Sequence, residues 1–271
     1  MIAIVGQRVL DRIEVDDEPV VERLGGSPLF AAHALLARGY AFRVGTRGGD
    51  EALRAPLAAL VPDLVVGPAR STYCSHLRLR PGGVRDQGMA AFGDPFTPAD
   101  VTGWLAPVLR GARAAVCGAQ WRDDFRGEAL AALATDGRRV YLDAQGPARP
   151  ARIGPIALEG PLDPALVTGV DVLKASEEEA AALLGGEDVA AVARAGIPVV
   201  VITRGERGAT VHVGGQAADV GATPVLGLAD TVGAGDAFLA LMAAAEVEDG
   251  LPPIPAAQRA CEGVAALLRA R

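Results

Sequence analysis

Aromatic residues are scarce in this chain: Phe, Trp and Tyr together make up 4% of its 271 residues. A core with so few rings must pack aliphatic side chains. Ala, Gly, Val and Leu dominate, and half of the sequence is hydrophobic. That mixture suits Val-rich buried strands set between Ala/Leu-rich helices. Cysteine is also thin. Cys74, Cys117 and Cys261 are far apart and form no CxxC pair. This argues against a disulfide framework and favours a reducing cytoplasm. The histidines are His33, His76 and His212, and no His/Cys cluster has the spacing of a structural zinc site. Basic residues form no block and the formal net charge is −7, so no nucleic-acid footprint is expected. No run of about 18 apolar residues occurs, so no membrane span is expected either. The start, Met1-Ile2-Ala3-Ile4-Val5-Gly6, lacks a basic n-region. It reads as a first strand rather than a signal peptide.

What is present is an alternation of short apolar runs and helical patterns. Buried strands are expected at residues 2–5, 114–117, 140–142, 170–173 and 199–202. Helices are expected at 28–38, 128–134 and 177–184. The first has Pro28 in its opening turn and Gly39 just past its end. Strands alternating with helices imply parallel βαβ units and a doubly wound sheet. Residues 71–80 are strand-like, Pro81-Gly82-Gly83 is a turn signal, and residues 84–91 can return as a second strand. This hairpin is either a lid or dimer surface, or an edge extension of the main sheet. Residues 8–24 are polar, strand-compatible and able to pair with it. No linker, internal repeat or low-complexity tract divides the chain. His33 lies on an Ala/Leu helix and is expected in the core; His76 and His212 fall in strands without partners.

The chemistry concentrates in Asp230-Thr231-Val232-Gly233-Ala234-Gly235-Asp236, which precedes an Ala/Leu-rich helix at 237–245. The glycines fall in the turn that opens that helix. Such a turn aims unpaired backbone N–H groups at one spot, where the helix dipole also favours negative charge. A carboxylate there would repel phosphate as a ligand. As a base it makes sense: Asp236 can accept the proton of a hydroxyl attacking a phosphoryl group. A lone GxGD is equally a glycine turn with an aspartate cap; the seven-residue string is more specific.

That string resembles the C-terminal signature of the ribokinase/PfkB family of carbohydrate and nucleoside kinases. The resemblance implies a three-layer α/β/α Rossmann-like fold, with residues 1–271 as one kinase domain. Small β lid elements are implied at about 8–24 and 70–92. It further implies that Gly233, Ala234 and Gly235 form the anion hole and that Asp236 is the catalytic base. The donor would be ATP with Mg²⁺, and the acceptor a hydroxyl of a sugar or cyclic polyol. A homodimer through the lid would fit the same frame.

Other motifs follow in family order. Gly25-Gly26 resembles the diglycine that contacts the acceptor; taken alone it is a flexible lead-in to a helix. The family often has Asn four residues after the second Gly. Here Phe30 stands in that position, which departs from the ribose- and fructose-type acceptors. Asp11 after Gly6 resembles the first-strand acidic residue that binds acceptor hydroxyls, and ionised carboxylates suit polyols. Asp143 lies just beyond an apolar strand, where open α/β sheets place ligands. The run Leu142-Asp143-Ala144-Gln145-Gly146, followed by Arg149, resembles an inositol-kinase-containing branch. Glu179 matches the family's Asn-x-x-Glu motif with Ser176 in place of Asn, implying an indirect, water-mediated effect on metal. The same Ser-x-x-Glu is also a helix capping box. Thr203, Arg204, Gly205 and Gly208 resemble the nucleotide segment, with Thr231 in the later string; without that context they read as a turn into a strand at 209–213. The helix at 256–271 would border the adenine. Two other functions stay open: a nucleoside kinase with Phe30 and Tyr73 flanking a base, and a kinase-like binding protein without catalysis.

Overall fold

A computed structural model describes residues 1–15, 20–48, 54–61, 63–79, 85–125, 127–225 and 231–270. The strands are β1 (Ile2–Gln7), β2 (Val9–Val15), β3 (Val21–Gly25), β4 (Phe42–Arg47), β5 (Val65–Gly67), β6 (Tyr73–Leu79), β7 (Arg85–Ala91), β8 (Ala114–Gly118), β9 (Arg139–Asp143), β10 (Gly154–Pro155), β11 (Val172–Ser176), β12 (Val199–Thr203), β13 (Ala209–Val213) and β14 (Gln216–Val220). The helices are α1 (Ser27–Ala37), α2 (Arg54–Leu60), α3 (Pro98–Thr102), α4 (Ala106–Leu109), α5 (Gly127–Leu133), α6 (Gln145–Ala148), α7 (Glu177–Leu184), α8 (Val189–Ala193), α9 (Ala234–Val247) and α10 (Pro253–Arg269).

The main sheet runs β14-β13-β12-β11-β9-β8-β1-β4-β5. Its strands are parallel from β12 to β5, while β13 and β14 fold back antiparallel at one edge. Side chains alternate across it, as the pleat requires. Ile2, Ile4, Val116, Tyr141, Val172 and Val201 pack with α1, α9 and α10 on one face. Ala3, Val5, Cys117, Leu142, Leu173 and Ile202 pack with α3, α4, α5, α7 and α8 on the other. The result is a three-layer α/β/α fold. Full burial of each Val, Leu or Ile in these layers contributes about 1.5–3 kcal/mol. From Ala237 to Val247, α9 is buried all round, so it has no polar face and lies inside the molecule.

The second sheet runs β10-β7-β6-β2-β3. It contains the expected hairpin and the polar segment after β1, with β2 and β6 paired in parallel. The hairpin is therefore part of a separate small sheet and not an edge extension of the main one. Its turn, Pro81-Gly82-Gly83, lies outside the described residues, as do Arg80, Val84 and residues 226–230 with Asp230.

Some sequence expectations need correction. His33 is exposed, because the buried stripe of α1 is Ala31, Ala32, Ala34 and Leu35 and His33 falls on the opposite face. His76 has a partner: its Nε2 lies 3.2 Å from Glu14 Oε2 on the neighbouring strand. His212 is buried and neither ring nitrogen has a hydrogen-bond partner. The strand expected at 170–173 begins at Val172. The last helix begins at Pro253, since Pro is well accommodated in a first turn.

Candidate active site

The site lies at the carboxyl ends of the parallel strands, where the fold leaves backbone groups and side chains free of the ladder. Gly233 caps α9 in the left-handed region, at φ 79°. Gly235 and Asp236 occupy the first turn of that helix. The N–H of Ala234 is used within the turn, donating to the Thr231 carbonyl at 3.1 Å. The Gly235 and Asp236 N–H groups then form the open, electropositive end of the helix. Of the three residues expected to form the anion hole, Ala234 is the one whose N–H is engaged within the turn.

Gly233 also needs its missing side chain. A Cβ there would sit 2.2 Å from the Phe30 ring. Phe30, in the first turn of α1, is thus packed against the glycine turn. Gly233→Ala should cost about 1–2 kcal/mol from its left-handed backbone alone, and more from the collision with Phe30. A lowered Tm together with a lowered kcat is the expected result; an unchanged Tm would contradict this packing.

Asp236 is part-exposed in the first turn of α9. Burial and the nearby Asp143 push its carboxyl up to about 6, against the opposing pull of Ser27, Lys174 and Arg149. Ser27 opens α1, and its hydroxyl accepts from Gln120 Nε2 at 3.2 Å. Gln145 Nε2 donates in turn to Gln120 Oε1 at 3.0 Å. Gln120 is fixed from behind by its backbone N–H, which donates to Asp124 Oδ2 at 2.7 Å. Burial raises the Asp124 carboxyl to about 7, despite its hydrogen bonds from Gln120 and Gln7.

Lys174 was not singled out from the sequence, yet it is central. The β11–β9 register sets Lys174 directly beside Asp143. Its Nζ donates to both Asp143 oxygens, at 3.1 and 3.0 Å, and both side chains are buried. Burial alone would depress the ammonium. Asp143, with Glu179 and Asp236 beyond it, reverses this and raises it. A Cβ on Gly235 would come within 2.8 Å of this Nζ, so the ammonium lies against the glycine turn. A lysine inside the apolar run Val172-Leu173-Lys174-Ala175 is the signal that marks it. Asp143 also accepts from the Gln145 N–H at 3.0 Å.

Glu179 is buried and closes a capping box at the start of α7. Its Oε2 accepts from the Ser176 N–H at 2.8 Å, and its own N–H donates to Ser176 Oγ at 3.2 Å. Burial raises its carboxyl, partly offset by Lys174. With one carboxylate oxygen tied to the cap, Glu179 suits a water-mediated contact to a metal better than direct ligation. Among the described residues, no three His, Cys, Asp or Glu side chains converge to cage an ion. This donor set fits a magnesium ion carried by phosphates, which keeps most of its own waters.

Asp11 and the diglycine form a second group. Ser75 Oγ donates to Asp11 Oδ1 from the neighbouring strand. A Cβ on Gly25 would fall 2.0 Å from Asp11 Oδ2, so glycine is what lets the carboxylate lie over β3. Burial raises the Asp11 carboxyl, opposed by Ser75 and Arg23. Gly26 then links β3 to Ser27, and through it to Asp236.

The nucleotide-like segment sits farther along the same edge. Thr203 ends β12 beside Ser176, and its Oγ1 donates to the Ala175 carbonyl at 3.2 Å. Arg204 is engaged by acids: Glu187 at 2.5 Å, Glu177 at 3.4 Å and Asp219 at 3.6 Å. Gly205 and Gly208 both have positive φ and shape the turn into β13. Tyr73 lines a cleft with Met89, Trp121, Arg149 and Ile156, while Phe30 packs at Gly233.

Residues 157–269 match the family model described as pfkB family carbohydrate kinase. A fructokinase of Klebsiella pneumoniae is 38% identical over 96 residues, covering 34% of this chain and 31% of that enzyme. The match therefore spans about a third of that relative's length. Among solved structures, a pyrophosphate-dependent kinase of the ribokinase family, bound to a pyrophosphate analogue and myo-inositol, superposes with a TM-score of 0.81 at 20% identity. That superposition covers 99% of this chain and 95% of the other. The ribokinase of Arabidopsis thaliana, bound to ribose and ATP, gives 0.76 at 19% identity over 99% and 92%. Residues 157–269, which hold Lys174, Glu179 and the glycine turn with Asp236, are thus similar to the pfkB carbohydrate kinases, and the chain as a whole shares the fold of the ribokinase-family kinases.

Proposed function

We propose that this protein transfers a phosphoryl group to a hydroxyl of a sugar or cyclic polyol. The observation that carries the reading is Asp236: a part-exposed carboxylate at the open end of α9, with the Ser27 hydroxyl and the Lys174 ammonium near it. A base whose proton affinity lies just below neutrality is ionised at physiological pH. It still takes a proton readily from an attacking hydroxyl. The Gly235 and Asp236 N–H groups, with Lys174, meet the charge that develops on the transferring phosphoryl group. Asp11 and the Gly25–Gly26 backbone face the acceptor. The whole chain acts as one kinase unit, with the small sheet as a lid that excludes water when it closes. Exposed Val20 and Val21 at its rim suit a contact with the acceptor side or with a second copy.

Magnesium would arrive with the donor and be steadied through water by Glu179. ATP remains the expected donor, with Thr203, Gly205, Gly208 and Thr231 along its path. Pyrophosphate is the second reading. It is favoured by Arg204, whose charge is already spent on three carboxylates and is not free for a nucleotide. Among the described residues, no helix is long and apolar enough to cross a membrane.

The deciding experiment is a turnover panel. Sugars, polyols and nucleosides are each offered with ATP or pyrophosphate, and release of ADP or phosphate is measured. Acceptor-dependent turnover with a sugar or polyol is expected. Donor binding by calorimetry without turnover on any acceptor would instead favour a non-catalytic binding protein. A nucleoside-only response would favour the nucleoside kinase.

A further inference from the structure

β1 and β8 pair in parallel as far as Gly6 and Gly118, and the ladder ends there. The strand order reverses at this point: from β1 the chain builds β4 and β5 on one side, then β8 and β9 on the other. An open α/β sheet leaves a crevice where its order reverses. Ser27 stands over it, since a Cβ on Gly118 would fall 2.0 Å from the Ser27 Cβ. Asp124 ties its two sides together. Its side chain is fully buried. Oδ2 accepts from the Gln120 N–H, just past β8, at 2.7 Å, and Oδ1 accepts from Gln7 Nε2, at the end of β1, at 3.2 Å. Burying a carboxylate is costly unless its hydrogen bonds hold something that matters.

Both partners lead somewhere. Gln7 Nε2 also donates to the Asp94 carbonyl at 2.6 Å. The Asp94 carboxylate accepts from the Arg70 N–H at 2.6 Å and from its Nε at 2.9 Å. Arg70 lies between β5 and β6, and Asp94 follows β7, so two crossings between the main and small sheets meet at this clasp. On the other side, the Gln120 amide is the middle of a directed run. Gln145 Nε2 donates to its Oε1, and its own Nε2 donates to Ser27 Oγ. A hydroxyl has a single proton. With Oγ accepting from Gln120, that proton is left to turn to Asp236, and Ser27 is among the groups that hold the Asp236 carboxyl down. A reversed Gln120 amide would compete for it.

We infer that Asp124 is a positioning residue for phosphoryl transfer: by fixing the Gln120 main chain against Gln7, it aims the Gln120 amide at Ser27 and so directs the Ser27 proton to Asp236. Asp124 acts only through these neighbours. The inference rests on the kinase reading for the role of Asp236 as base, but the ionisation of Asp236 can be read without turnover. Asp143 of β9, Lys174 of β11 and Arg149 at the end of α6 also act on Asp236, and Tyr73 of β6 feels the charge of Asp124. All four stay unaltered in the variants below.

The test follows Asp236 by NMR in the full-length protein labelled with ¹³C at the aspartate carboxyls, its signal identified by loss in Asp236→Asn. Asp124→Asn keeps the size of the side chain but has one acceptor oxygen, too few for both Gln120 and Gln7. The Asp236 midpoint should rise by roughly one pH unit, the order expected when a hydrogen bond to a charged group is lost. Ser27→Ala should give a similar rise. The double variant should rise no further than Ser27→Ala, because both changes act through one hydroxyl. Gln7→Met, which loosens Asp124 from outside the 120–124 turn, should give a smaller rise in the same direction and serves if Asp124→Asn does not fold. In turnover, the acidic limb of kcat/KM should move with the midpoint while KM for the donor stays unchanged. A lowered Tm with an unmoved midpoint in Asp124→Asn or Gln7→Met would mean that Asp124 only closes its local turn, and additive rises in the double variant would mean that it does not act through Ser27; either overturns the inference. The expected midpoint shifts in a protein that phosphorylates no acceptor would overturn the kinase reading and leave the relay standing.

Discussion

Asp236→Asn should lose turnover while binding both substrates with nearly unchanged affinity. Loss of a general base commonly costs about 10²–10⁴ in rate, and the fall should appear in kcat with little change in KM. The wild-type enzyme should show an acidic limb in kcat/KM centred near pH 6, because the Asp236 carboxyl is pushed up to about 6 by burial and by Asp143. The same shift carries a stability signature. A carboxyl with a higher proton affinity in the fold than in the unfolded chain favours the folded state when protonated. That contribution is complete below about pH 4 and is lost as pH rises through about 6. Asn does not ionise and so does not lose it. The variant should therefore match wild type in Tm under acidic conditions and exceed it in mild alkali. A slow enzyme with unchanged alkaline stability would mean that Asp236 is solvated and not poised. Near-wild-type turnover would remove it as the base.

The second large effect belongs to Lys174. Lys174→Met leaves Asp143 buried without its cation, next to Glu179 and Asp236. Breaking a buried pair by removing one partner typically costs about 3–5 kcal/mol. For a chain of this size that lowers Tm by roughly 6–15 °C. Asp143→Asn should cost less, because the ammonium keeps Glu179 and Asp236 as neighbours. Replacing both, as Lys174→Met with Asp143→Leu, should recover much of the loss, since an apolar pair of similar volume carries no desolvation penalty. The surviving Lys174→Met enzyme should also move its acidic limb to higher pH, because Lys174 is among the charges that hold the Asp236 carboxyl down. Equal costs for the two single variants would show that the three carboxylates are not sharing one cation.

Part of this site was legible in the chain and part was not, for physical reasons. The glycine turn and Asp236 are local. Backbone conformation, helix start and carboxylate lie within a few residues, so spacing alone carries them. The capping box of Ser176 and Glu179 is local too, and its geometry follows the S-x-x-E pattern. The main strands are continuous apolar runs because both faces of their sheet are covered. Lys174 and Asp143 meet only through a strand register joining residues 31 positions apart. Ser27, Gln120 and Gln145 converge from three segments, each ordinary when read alone. His33 shows the converse error. An Ala/Leu-rich helix looks apolar all round, and only packing reveals which stripe is covered. Arg149 was noticed as part of a run, but the burial of its Nε without a hydrogen-bond partner among the described residues is a property of the folded molecule alone.

Gly26 leaves a last consequence. It is the single residue between the final strand of the small sheet and Ser27, whose hydroxyl helps set the proton affinity of Asp236. The element proposed to receive the acceptor and the hydroxyl beside the proposed base are thus almost covalently continuous. Any displacement an acceptor imposed on Asp11 and Gly25 would be delivered to Ser27 with little slack. Proton uptake at Asp236 and acceptor binding would then be linked equilibria, each altering the other by the same factor. An empty cleft and an occupied one would differ not only in shape but in how strongly the base holds its proton.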